Sequence, residues 1–209
     1  YFEQGQTNVA LDELKQALTT DPSFGEAHNL RGLIFMRLND NRTAEESFRR
    51  ALALNSRDAA ALHNVGWLYC QQGRYDESFR MFQQALDNPT YGERPKTLMA
   101  KGLCQMRANR LGEAEQSLAR SYELDAGNPI TGYDLASLLF NRGENVRAQF
   151  YIRRINNSEF ANAESLWLGA KVEQRLGNTQ AVNQLGDQLH RRFPQSRETG
   201  AFDRKAFHE

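Results

Sequence analysis

Apolar, small and turn-forming residues recur along the 209 residues of this chain with one common step. Leu14, Phe48, Phe82, Leu118 and Ile152 form an apolar ladder, with Gly186 in its sixth place. Four residues ahead of each rung stands a short side chain: Ala10, Ala44, Ser78, Ala114, Ala148 and Val182. A second small ladder runs through Gly32, Gly66, Gly102, Ala136 and Ala170, and a third through Ala17, Ala51, Ala85, Ser121, Ile155 and Leu189. Gly5, Asn39, Gly73, Asn109, Gly143 and Gly177 lie between them at steps of 34, 34, 36, 34 and 34. Gly and Asn tolerate the left-handed backbone at which a helix stops and turns back. The pattern predicts pairs of antiparallel helices. Small residues let the two helices of a pair approach, and the apolar ladder fills the space between pairs.

A 34-residue helix–turn–helix period is the signature of tetratricopeptide (TPR) repeats. The predicted fold is all-α, a TPR superhelix or α-solenoid of about six repeats with the first truncated, forming a single array over residues 1–209. Its parts are a partial repeat at 1–24, complete hairpins at 25–58, 59–94, 95–128, 129–162 and 163–196, and a tail at 197–209 that forms one short helix or frays. The two extra residues of the long step fall in the loop Asp87–Pro95. Pro22 and Pro194 stand where a second helix must end, and Pro89 and Pro129 lie close to that point in their repeats. No hairpin buries its apolar face alone, so stacked neighbours make the core. Tyr1 falls inside a helix of the register, so the natural protein is expected to extend upstream.

Lys plus Arg equals Asp plus Glu at 26 each, and no basic stripe marks a nucleic-acid partner. No apolar run approaches the roughly 18 residues of a membrane span. His28, His63, His190 and His208 are dispersed without metal-ligand spacing, and His28 reads as a packing residue. No phosphate loop, nucleophile elbow or Cys-x-x-Cys pair occurs, so no catalytic residue, cofactor or metal is expected. The pairs Glu45–Glu46, Arg49–Arg50, Arg153–Arg154 and Arg191–Arg192 read as solvated outer faces.

In TPR arrays the first (A) helix of each pair lines the concave side. The positions that point into it hold Leu33 and Met36, then Trp67, then Met99, Leu103 and Met106, then Tyr133 and Phe140, then Trp167. Polar neighbours at the same register include Asn29, Lys96, Ser137 and Lys171. Aromatic and methionine side chains on such a face read as a protein-binding groove. The carboxylate clamp of some TPR co-chaperones is missing, because Leu33 and His63 occupy two of its positions. Cys70 and Cys104 fall on adjacent A helices, where either a disulfide or two buried thiols fits.

The stretch from His63 to Asp125 resembles the PilF/PilW family of type IV pilus biogenesis proteins. The likeness rests on Asn64–Val65–Gly66–Trp67–Leu68–Tyr69–Cys70, on the extended loop Asn88–Pro89–Thr90–Tyr91 with Pro95, and on Lys101–Gly102–Leu103–Cys104. Tyr69 stands where relatives often carry Leu or Phe. The resemblance implies a non-enzymatic outer-membrane lipoprotein facing the periplasm, itself a monomer. It implies a pilotin whose partner is the secretin subunit (PilQ), with the lipid attached upstream of Tyr1. It also implies a disulfide between Cys70 and Cys104. Two other classes fit the bare pattern: a cytosolic TPR adaptor that binds a peptide segment, and the TPR part of a larger enzyme.

Overall fold

The structure, a computed structural model, describes residues 6–208. Gly5 and the helix expected at Tyr1 lie outside the described residues. The described residues form twelve helices and no strand. The chain divides into two compact units, Tyr1–Ser117 and Leu118–Glu209.

The first unit contains α1 (Thr7–Thr20), α2 (Gly25–Arg37), α3 (Asn41–Leu54), α4 (Ala59–Gln71), α5 (Tyr75–Leu86), α6 (Arg94–Arg107) and the start of α7 (Leu111–Leu124). The second holds the rest of α7, then α8 (Pro129–Asn141), α9 (Asn145–Asn156), α10 (Ala163–Arg175), α11 (Thr179–Arg192) and α12 (Arg197–Asp203). The pairs α2–α3, α4–α5, α8–α9 and α10–α11 each pack as hairpins.

One turn chemistry closes the hairpins. Asn39, Gly73, Asn109, Gly143 and Gly177 all have φ between 58° and 78°. In each case the following residue donates its N–H to the carbonyl five residues back: Asp40 to Phe35, Arg74 to Tyr69, Arg110 to Gln105, Glu144 to Leu139 and Asn178 to Glu173, at 2.8–2.9 Å. This is the Schellman closure, which satisfies carbonyls that the helix end leaves bare. Several helix starts are capped by side chains: Asp58 accepts from Ala60 and Ala61, and Asn128 from Ile130 and Thr131. Each such cap contributes about 1 kcal/mol. Pro129 opens α8 at its first turn, where its missing N–H costs nothing.

The ladders interlock within the hairpins α2–α3 and α4–α5. A Cβ at Gly32 would lie 2.4 Å from the Phe48 ring, and one at Gly66 would lie 2.8 Å from Phe82. These two A-helix glycines are seats for rings of the second (B) helices, and both rings are fully buried. At Gly186, where the ladder lacks an apolar side chain, Phe202 of α12 supplies it. A Cβ there would meet that ring at 2.2 Å. The tail is therefore a helix that completes the final repeat.

Candidate functional site

In the first unit the A helices α2, α4 and α6 carry six of the residues read as groove-lining. Leu33 and Met36 rest on the core of Ala44, Phe48, Val65, Leu68 and Tyr69. Trp67 rests on Cys70, Phe82, Ala100 and Cys104. The Arg107 guanidinium lies over the Trp67 ring, 5.1 Å from its centroid. All six, Met99, Leu103 and Met106 among them, are half-buried. Leu33, Met36 and Trp67 are seated on the core by one side while the other side meets solvent. Asn64 donates to Asn29 at 3.0 Å and ties α4 to α2 along the same face.

Two residues at concave positions are withdrawn from that face. His63 is buried, with Nδ1 2.7 Å from the Thr97 hydroxyl, which also meets the Tyr91 hydroxyl at 3.1 Å. Burial, with a smaller push from the nearby Lys96 charge, holds His63 down at about 4, so it is neutral at ordinary pH. The inserted loop thus delivers Tyr91 to pin α4 and α6 together. Cys70 is 2 % exposed and is joined to Cys104, with their Cα atoms 5.8 Å apart. Ser78 lies beside the bridge, its hydroxyl donating to the Gly66 carbonyl at 2.7 Å and 3.4 Å from the Cys104 sulfur.

In the second unit Tyr133 and Phe140 on α8 and Trp167 on α10 are again half-buried. With Lys171, Arg197 and Arg204 they line a cleft of about 450 Å³. The Lys171 ammonium lies 5.6 Å from the Phe140 ring centroid and 5.7 Å from that of Trp167. Burial lowers the Lys171 pKa and raises that of Tyr133. Trp167 is held from the other side by Phe207, at 5.1 Å, and by the edge of Phe202, at 6.3 Å. These tail contacts lie beyond the repeat register, so the periodicity gave no sign of them.

A second recess was also outside the A-helix positions. Between α1 and α2 a cleft of about 380 Å³ has Leu14, Phe24 and Leu30 in its wall and Glu13 and Glu26 beside them. Phe24 stands at the N-cap of α2, where an exposed aromatic is out of keeping with a capping role, and that mismatch was the available signal. His28, expected to pack, is half-buried with its ring Nε2 3.0 Å from the Pro22 carbonyl. Among the described residues no group of three His, Cys, Asp or Glu side chains is placed to hold a metal, and no helix is long and apolar enough to cross a membrane.

Sequence models of the tetratricopeptide repeat match residues 24–90 and 66–129, and a TPR repeat model matches residues 1–39. The type IV pilus assembly protein PilF of Pseudomonas aeruginosa is 30% identical over 202 residues, covering 97% of this chain and 80% of that protein. The crystal structure of PilW, a widely conserved type IV pilus biogenesis factor, superposes with a TM-score of 0.85 at 31% identity, covering 96% of this chain and 92% of that one. The structure of Pseudomonas aeruginosa PilF superposes at 0.87 with 29% identity, covering 98% and 92%. The period, the turn chemistry and these likenesses agree, and the chain belongs to the PilF/PilW family of TPR proteins related to type IV pilus biogenesis.

Proposed function

We propose that this chain is a non-enzymatic pilotin. It holds an apolar segment of the secretin subunit (PilQ) on the inner faces of its A helices. It supports localisation of the secretin in the outer membrane and its assembly into multimers there. The observation that carries this reading is the shared half-burial of Leu33, Met36, Trp67, Met99, Leu103 and Met106 in the first unit and of Tyr133, Phe140 and Trp167 in the second. Leu33, Met36 and Trp67 pack on the core by one side, and all nine groups keep part of their surface open to solvent. Such a surface offers anchors with little entropy left to lose on binding. The methionines add adaptability to a segment of irregular shape.

The Cys70–Cys104 bridge fits an oxidising compartment such as the periplasm. A lipid attached upstream of Tyr1 would hold the protein on the periplasmic face of the outer membrane. A single acyl chain anchors only marginally, so a lipoprotein's several chains suit the role.

Deleting the gene and running outer-membrane fractions unboiled on a denaturing gel tests the role. The proposal expects the heat-sensitive secretin multimer to vanish while monomer remains. Unchanged multimers in the outer membrane would refute it.

A further inference from the structure

The B helices present matching register positions to solvent, and one helix breaks the pattern. The first outward position holds Asn8, Arg42, Asp76, Gly112 and Gln180 in α1, α3, α5, α7 and α11, but Val146 in α9. One turn on, those helices hold Asp12, Glu46, Arg80, Gln116 and Gln184, while α9 holds Phe150. All of these positions are exposed, Val146 at 70% and Phe150 at 56%. Five helices show that this register is a solvated surface. In α9 it is apolar.

The stripe is set in place by its neighbours. The Phe150 ring meets Tyr151 edge-on at 5.1 Å, and Tyr151 meets Tyr122 edge-on at 5.0 Å. A further turn along, the exposed Arg154 guanidinium lies 6.0 Å from the Phe150 centroid and 5.9 Å from that of Tyr122. Nearby acids are taken: Glu144 pairs with Arg142 and Arg147, and Glu173 with Arg153 at 2.7 Å. Arg154 pairs with no carboxylate among the described residues.

We propose that the Val146–Phe150–Arg154 face of α9 docks a helix of a partner protein. That helix carries two apolar side chains one turn apart and a carboxylate one turn further on. Residues at i, i+4 and i+8 form a ridge that fits the groove of a second helix. The uncompensated cation at its end selects the acid and fixes the direction. A bilayer fits less well. The apolar stripe is one side chain wide, whereas interfacial helices bring a broad apolar face and lipid-binding segments about 4–8 clustered cations. A second copy also fits less well. A two-fold pairing centred on Phe150 would bring Arg154 toward the Val146–Arg147 end of the other copy, where two arginines already share the one carboxylate of Glu144.

The test places a photo-crosslinking phenylalanine at position 150 of the full-length protein in its native cells, with the same group at Gln116 and Gln184 as controls. The expected crosslinks occur at 150 alone and map to one acidic amphipathic helix of another protein. A synthetic peptide of that segment binds the purified protein. Arg154→Glu weakens it at least tenfold, and replacing the peptide's acid by Arg restores it. The proposal is overturned by crosslinks at 150 only to lipid or only to a second copy, by equal labelling at all three positions, or by a peptide that ignores Arg154→Glu. The concave-face variant Leu33→Ala with Trp67→Ala leaves the expected crosslink unchanged, which separates this surface from the proposed secretin site.

Discussion

Two buried or half-buried titratable residues pull the stability of this protein in opposite directions along pH. His63 is held at about 4 by burial, whereas its imidazole in the unfolded chain takes up a proton near 6.5. The unfolded state therefore binds more protons between those values. Stability is complete above pH 6.5 and falls by about 3 kcal/mol as pH drops to 4. Asp134 runs the other way. Burial raises its carboxyl from 3.8 to about 6, and Oδ2 has no hydrogen-bond partner. Its contribution is complete below pH 3.8 and is lost, by about 3 kcal/mol, as pH rises through 6. Asp134→Asn is accordingly expected to raise the urea midpoint at pH 7.5, with a gain that shrinks to nothing by pH 4. A variant as weak at pH 7.5 as the parent would remove this account of Asp134. His63→Gln should flatten the acid side of the same stability profile between pH 6.5 and 4. Neither effect was legible in the sequence. Helix register assigned His63 to the concave side, and only the inserted loop, by placing Tyr91 against Thr97, explains its withdrawal.

At the scale of elements, the hairpins were legible because one closure is repeated. Each described turn residue of the ladder has positive φ, and Gly32 and Gly66 seat the B-helix rings of their own pairs. The ladder failed at Gly186, since counting in steps of 34 does not reach Phe202 in the tail. The packing makes a sign-reversing prediction. Gly186→Leu alone should destabilise, because its Cβ would meet Phe202 at 2.2 Å. Phe202→Ala alone should cost about 3 kcal/mol by opening a cavity. With Phe202→Ala already present, Gly186→Leu should stabilise, restoring the apolar rung that Leu, Phe or Ile supplies in other repeats. Additive losses in a denaturant-based double-mutant cycle would show that α12 does not fill that rung.

At the scale of the whole molecule, equal numbers of acidic and basic residues leave recognition to shape and apolar anchors rather than to long-range attraction. The Cys70–Cys104 bridge closes a 34-residue loop, which in the chain-entropy picture stabilises by about 4 kcal/mol. Reducing agent should therefore lower the unfolding midpoint of the parent and leave Cys70→Ala with Cys104→Ala unmoved. A parent indifferent to reduction would mean that the bridge does not form. The proposed protein-binding face was legible in part. Positions in the A helices identified the half-buried apolar residues, but the cleft wall that α12 adds beside Trp167, the contact of Phe207 with that ring, and the apolar stripe on α9 depend on contacts and exposures that periodicity does not encode.

The most direct measurement restores a deletion strain with the parent protein or with Leu33→Ala plus Trp67→Ala, and scores secretin multimers on unboiled gels. The melting of the purified variant is checked alongside. The account predicts a folded protein, present at parental levels, that fails to restore the multimer. Full restoration by that folded variant would contradict the claim that the inner faces of the A helices bind the secretin.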